Sequence, residues 1–175
     1  MVYDTETASF SPPYIISLAY VAYENGKRVA KGMIVCNPDC KISEKASAVN
    51  GFTNDMVKDK PLFIEEWRKI EKYFNNSIWI GHNTSVFDIR AIKAEATRYG
   101  FIVPNHMECD TLKNAKRLIP KDKIKDYKLS TLLDYFNLKV NGDAHNADVD
   151  VNMTIKVYNK LVELANGELL IEPPK

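Results

Sequence analysis

The residues of this chain that could do chemistry fall in three short acidic stretches. Asp4-Thr5-Glu6-Thr7 follows the apolar Val2 and Tyr3, so a strand running through it would project Asp4 and Glu6 from one face. Two carboxylates held side by side repel unless a cation sits between them, and a hard divalent ion is the natural occupant. Far downstream, Asp88 stands just after the polar stretch Gly81-His82-Asn83-Thr84-Ser85. The third stretch, Gly142-Asp143-Ala144-His145-Asn146-Ala147-Asp148-Val149-Asp150, joins an imidazole to further carboxylates. All-oxygen donors favour Mg2+ or Mn2+ over Zn2+, and a histidine with an ordinary pKa near ~6.5 can serve as a general base. Such a set suits phosphodiester hydrolysis, which needs an activated water, neutralisation of the charge that builds at the phosphate, and help for the leaving oxygen.

Each stretch also has a plainer reading. Asp4 to Thr7 would be a polar strand end, and Asp88 and the later aspartates would be helix caps, each worth about 0.5–2 kcal/mol. A single D-x-E is a weak motif. Three carboxylate features, each at the end of a strand or the start of a helix, are poorly accounted for by capping alone.

Bringing them together requires a sheet whose strand ends face helix starts. The first strand is expected to be short, running through Glu6. Residues 14–23 and 28–36 are β-rich runs around Glu24-Asn25-Gly26-Lys27, where Asn-Gly signals a hairpin. Residues 36–60 form a long connection with short helical turns. Pro61 opens a helix carrying Leu62, Trp67, Ile70 and Phe74, which ends at Asn75-Asn76. A strand over residues 77–81 and a helix over 87–99, stopped by Gly100, come next. After a strand at 107–109, Asp110 caps a helix carrying Leu112 and Leu118, which Pro120 breaks; Ser130 caps another through Phe136. The last helix covers 147–165. A hairpin followed by alternating helices and strands implies an α/β fold, a mixed central β-sheet flanked by α-helices, built as a single domain over residues 1–175.

Composition agrees with an ordinary globular protein. The chain has 175 residues, 45% hydrophobic and 27% charged, which is enough for a substantial core. No apolar run approaches the ~20 residues of a membrane span and no signal segment precedes the first strand, so no membrane partner is expected. The three cysteines, Cys36, Cys40 and Cys109, form an odd set that suits a reducing cytoplasm. No nearby Cys or His completes a zinc site around Cys36 and Cys40. The net charge is only +1. Its distribution says more: Lys113, Lys116, Arg117, Lys121, Lys123, Lys125 and Lys128 face only Asp122 and Asp126 in the same stretch. Lys121, Lys123, Lys125 and Lys128 are therefore candidates to guide a polyanion, against the plainer reading of a solvated surface.

In their order and distances, Asp4-Thr5-Glu6, Asn83-x-x-x-Phe87-Asp88 and His145-x-x-x-x-Asp150 resemble the three motifs of the DEDDh 3′-to-5′ exonuclease superfamily. That family includes the proofreading subunit of bacterial DNA polymerase III, RNase T and oligoribonuclease. The likeness extends along the chain. Asn50-Gly51-Phe52-Thr53 is similar to the family's His-Gly-Ile-Thr connection, Asp110-Thr111-Leu112 to its Asp-Thr-Leu segment, and Leu129-Ser130-Thr131-Leu132 to its Ser-Leu segment. There are departures: Ala8-Ser9 stand where Thr-Gly is usual, and Asn50 where His is common.

The resemblance implies an RNase H-like fold and release of nucleoside monophosphates from a nucleic-acid 3′ end. It implies two Mg2+ or Mn2+ ions, with Asp4 bridging both, Glu6 and Asp150 completing the site of the ion that activates water, and Asp88 holding the second. His145 would take the proton from that water, and Thr5, Thr7 and Asn83 would contact the substrate. DNA is favoured over RNA, and a DNA polymerase is a candidate partner. Two alternatives stand beside this reading: an exoribonuclease, and a non-catalytic RNase H-like binding module. A binding module has no need to keep five repelling or titrating groups.

Helical spacing adds one expectation that does not depend on the family. From Asp148 one face continues through Asn152, Lys156 and Asn159, a largely wet stripe. From Asp150 it continues through Met153, Thr154, Val157, Tyr158 and Leu161, a face that should be buried. A carboxylate heading a buried face is costly unless paired or metal-bound. Asp150, not Asp148, is thus the expected ligand.

Overall fold

A strand buried on both faces needs small or apolar side chains above and below it, and the N-terminal segment has them. In the computed structural model, which describes residues 1–139 and 147–174, β1 runs Val2–Phe10. It is longer than the sequence suggests. A bulge between Glu6 and Thr7 shifts its register, after which pairing with the next strand continues as far as Phe10 opposite Pro13. A bulge re-aims side chains without ending the ladder, which is why a polar stretch that reads as a loop entrance stays in the sheet.

β2 (Pro13–Glu24) and β3 (Lys27–Val35) complete an antiparallel meander. Their two-residue turn holds Asn25 at φ 49° and Gly26 at φ 76°, the doubly left-handed geometry that Asn-Gly supplies at least cost. The long connection then folds into α1 (Glu44–Asn50) and α2 (Asn54–Val57). α3 (Phe63–Ile70) begins two residues after Pro61. Leu62 flanks its start, and the Glu65 carboxylate accepts from Leu62 N at 2.8 Å. A single 3-10 turn, Glu71–Tyr73, finishes this element.

β4 (Ser77–Gly81) lies parallel to β1, and β5 (His106–Asp110) lies parallel to β4. α4 (Asp88–Tyr99) connects them, and α5 (Thr111–Leu118) follows at once. α6 (Leu129–Tyr135) starts one residue before Ser130, so Ser130 is not its cap. Lys128 is the flanking residue and no side chain caps the helix; the Asp126 carboxylate instead braces its entrance, accepting from Lys128 N at 3.0 Å and Thr131 Oγ1 at 2.6 Å. α7 (Ala147–Leu164) closes the fold. The sheet order is β3-β2-β1-β4-β5, a mixed sheet with helices on both faces, as the alternation of elements implied.

The two faces bury different material. On one, Tyr3, Phe74 and Trp79 meet edge to face at 5.3–5.7 Å between ring centroids, and Trp67 of α3 packs beside Phe74 and Phe101. Truncating Trp67 would cost about 3–5 kcal/mol, a large part of the ~5–15 kcal/mol that holds an ordinary domain folded. The other face is covered by α7, whose Ala147 and Val151 pack on Val2, Ala19, Val21 and Ile80. Farther along, Met153, Val157 and Leu161 meet Ala115, Ile119, Leu132 and Leu133 of the α5–α6 region. α7 is thereby fixed over the strand that carries Asp4 and Glu6.

Candidate active site

Asp4 and Glu6 project from the α7 face of β1, where their partners on β2 are the small residues Ala19 and Ser17. Small neighbours leave room above the strand, and the first turn of α7 fills it with Asp150. The structure brings carboxylate oxygens of Asp4, Glu6 and Asp150 within 4.8 Å of one another. Asp148, by contrast, faces β3 and pairs with Lys31 at 3.0 Å. The burial of Met153, Thr154, Val157 and Leu161 follows the face headed by Asp150.

Asp88 arrives from a different element. It is the first residue of α4, 3% exposed, and does not act as the helix cap. Its Oδ1 accepts two hydrogen bonds from Thr5, from the main-chain N at 2.9 Å and from Oγ1 at 2.7 Å. Because Thr5 lies between Asp4 and Glu6, this bond ties the start of α4 to the acidic strand.

The electrostatics reflect four carboxylates gathered in one place. Burial first, then Asp88, Asp150 and Glu6, push Asp4 well above the usual carboxylate range. Glu6 rises to about 7, from burial and then Asp150 and Asp88, while a hydrogen bond from Asn50 opposes the shift. Asp88 rises to about 7 through burial, against the two Thr5 bonds that favour its ionised form. Carboxylates pushed up toward neutral pH are what burial and mutual repulsion produce in an acidic cluster. The clustered oxygens therefore fit a hard divalent ion by donor type and by charge.

These groups form the floor of a cleft of about 1060 Å3, large enough for more than one nucleotide unit by the scale of small-ligand sites. Lys116, Lys121, Lys125 and Lys128 line the cleft, with Asp126 and Tyr127 among them; Val49, Asn83 and Phe87 are among its other lining residues. The cleft thus sets basic residues against an acidic floor. Of the residues expected to meet substrate, Asn83 borders the cleft in a left-handed conformation at φ 62°. Thr5 also borders it, but its hydroxyl is committed to Asp88. Thr7 is 6% exposed and lies outside the lining residues, as does Lys123, which points to solvent near Asp122. His145 falls in residues 140–146, outside the described residues.

Sequence reasoning passed over His82, Lys116 and Tyr127 as cleft residues. Lys116 was detectable, since it stands one helical turn beyond Leu112, which also lines the cleft. His82 Nδ1 lies 2.9 Å from Thr111 Oγ1, and burial lowers its pKa to about 4. It is therefore neutral at ordinary pH and a weak base.

Comparison with known proteins agrees with this geometry. The RNase T exonuclease family matches residues 1–158. A PolC-type DNA polymerase III from Caldanaerobacter subterraneus subsp. tengcongensis is 32% identical over 165 residues, covering 93% of this chain and 11% of that polymerase. The chain therefore spans only about a tenth of that relative's length. A DNA polymerase III subunit epsilon from Treponema pallidum is 25% identical over 91% of this chain and 74% of its own. Among solved structures, exonuclease X in complex with 5′-overhanging duplex DNA superposes with a TM-score of 0.72 at 26% identity, covering 96% of this chain and 93% of that one. With its family match running from the first residue through most of α7, and its acidic floor drawn from three motifs, this chain belongs to the DEDDh 3′-to-5′ exonuclease family on an RNase H-like fold.

Proposed function

We propose that this chain is one domain acting as a two-metal 3′-to-5′ exonuclease that removes nucleoside monophosphates from single-stranded or frayed DNA. The observation that carries the reading is the convergence of Asp4, Glu6 and Asp150, with Asp88 beside them, at the foot of a lysine-lined cleft. The preference for DNA rests on relatives named as DNA polymerases and on a neighbour bound to duplex DNA. The polymerase relatives also make a replicative polymerase the favoured partner. Among the described residues no helix is long and apolar enough to cross a membrane, and we place the protein in the cytoplasm.

Asp4, Glu6, Asp88 and Asp150 are the residues that would hold Mg2+ or Mn2+. When bound, such ions supply an activated water and neutralise charge on the transferred phosphate. The side chains divide the remaining work. Asp4 shares one cluster with Glu6 and Asp150 and also feels the charge of Asp88, so it is the carboxylate best placed to serve both ions. His145 is assigned the proton of the attacking water on its ring nitrogen, a role that calls for a pKa near working pH. Lys121, Lys125 and Lys128 draw the strand's phosphates along the cleft wall. A terminal nucleotide must be unpaired before it can enter, so single strands should be preferred.

The test is digestion of 3′- and 5′-labelled single-stranded DNA and RNA with Mg2+, Mn2+ or chelator. Shortening from the 3′ end, lost in chelator and faster on DNA, is expected. Faster digestion of RNA would select the exoribonuclease reading. Degradation from the 5′ end in chelator would sink both.

A further inference from the structure

Asp110 is 4% exposed and sits where β5 gives way to α5. Its sequence role is an N-cap, and it performs that role: Oδ1 accepts from Leu112 N at 2.9 Å and Lys113 N at 3.4 Å. A cap needs no more than these. Yet the same carboxylate accepts three more hydrogen bonds from a segment more than twenty residues upstream. Oδ1 takes Asn83 N at 3.0 Å, and Oδ2 takes Ser85 N at 3.3 Å and Ser85 Oγ at 2.9 Å.

The segment it holds is the loop between β4 and α4, which delivers Asp88. Asn83 adopts φ 62°, a left-handed conformation that asparagine tolerates better than most non-glycine residues. From Asn83 the loop turns tightly, its carbonyl accepting from Val86 N and Phe87 N at 3.2 and 3.3 Å. Thr84, the residue between the two that Asp110 grips, reaches across to β1 through a 2.6 Å bond with the Tyr3 hydroxyl. It also fills the space above Gly81, where any Cβ would lie 2.6 Å from Thr84 Cβ. The loop is thus clamped from one side by Asp110 and from the other by Tyr3.

We propose that Asp110 is a positioning residue for the exonuclease reaction: through Asn83 and Ser85 it fixes the loop that sets Asp88 against Asp4 and presents Asn83 to the cleft. The inference rests on the reading of the acidic floor as a metal site. Outer partners of this kind typically change metal affinity or activity by about 10–100-fold when removed.

Asp110→Asn separates positioning from capping, because asparagine is as good an N-cap as aspartate but turns an NH2 toward the Ser85 N–H. The expected result is a modest drop in melting temperature, because the part-buried Ser85 N–H loses its acceptor, with three other changes. Amide exchange at Ser85 is faster in metal-free protein, calorimetric affinity for Mn2+ is about 10–100-fold weaker, and kcat falls by a similar factor while KM changes little. Ser85→Ala removes one loop bond and no cap bond. It should shift the same readouts in the same direction by less, and it decides the matter if Asp110→Asn does not fold. A wild-type chain that binds no Mn2+ sinks the metal-site reading itself. Wild type that binds Mn2+ and turns over, beside folded variants with unchanged exchange, affinity and kcat, overturns the inference alone. So does a drop in melting temperature with affinity and kcat per folded molecule preserved.

Discussion

Thr5 gives both its main-chain N–H and its hydroxyl to one oxygen of Asp88, at 2.9 and 2.7 Å. The residue between the two strand carboxylates is therefore the one that anchors the carboxylate arriving from α4. Hydrogen bonds to an ionised carboxylate favour that form, and here they work against the burial that raises Asp88 to about 7.

Thr5→Val keeps the main-chain bond and removes the hydroxyl. Asp88 should then titrate higher still, so the acidic limb of the pH profile for metal-dependent turnover moves to higher pH. Activity should fall more at pH 6 than at pH 8.5. A variant whose profile is scaled down uniformly would mean that the hydroxyl contributes packing alone.

Glu6 gives a second pH dependence, in stability. Burial and the neighbouring carboxylates raise it from 4.5 to about 7 in the folded chain, so across that interval the folded state holds more protons than the unfolded one. Its contribution to stability is present below the unfolded value and is lost as pH rises through about 7. In chelator, wild type should melt like Glu6→Gln at acidic pH and progressively below it as pH is raised. Saturating Mg2+ should close that gap for wild type and not improve Glu6→Gln as much. A gap independent of pH in chelator would contradict the shift.

The local alternation rule was enough to read Asp4 and Glu6 from the sequence, because a period of two puts them on one face whatever lies above. The Asn25-Gly26 turn was readable for a similar reason: few other residues tolerate two left-handed positions in succession. What could not be read depends on contacts between distant segments. The extension of β1 past Glu6 relies on pairing with β2, and the partner of Asp88 is eighty-three residues away. Asp110 was legible as a cap, since its cap donors are two and three residues on; its hold on Ser85 is invisible at that range. In the basic stretch, charge alone could not separate Lys123 from Lys121 and Lys125, because the 3-10 turn at Lys121–Lys123 decides which side chains face the cleft.

That distinction is measurable. Neutralising two lysines that each meet a phosphate should flatten log K against log[salt] by about 1.4 units on single strands. Lys121→Ala with Lys125→Ala is expected to do this when binding of a labelled oligonucleotide is titrated in chelator. Lys123→Ala, pointing to solvent near Asp122, should leave the slope unchanged. Equal flattening by Lys123→Ala would show that the strand runs outside the cleft.

Asp148 and Asp150 offer the sharpest contrast, being the same residue type two positions apart on one helix. Asp148 and its partner Lys31 are each 40% exposed, at 3.0 Å, and an exposed pair of that kind contributes about 0–1 kcal/mol. Asp148→Asn should therefore change melting temperature and turnover little. Asp150 shares its space with Asp4 and Glu6, where it helps push both of their pKa values up. Asp150→Asn removes one repelling charge and one proposed metal ligand together, so its effects should have opposite signs. In chelator near pH 8 it should melt above wild type, and in saturating Mg2+ it should lose the stabilisation that wild type gains, along with most turnover. Conversely, a variant that melts below wild type in chelator would show that the contacts Asp150 makes outweigh its repulsion with Asp4 and Glu6 in the metal-free site. Equal turnover of Asp150→Asn and wild type at saturating Mg2+ would remove Asp150 from the metal site and return the third motif to helix capping.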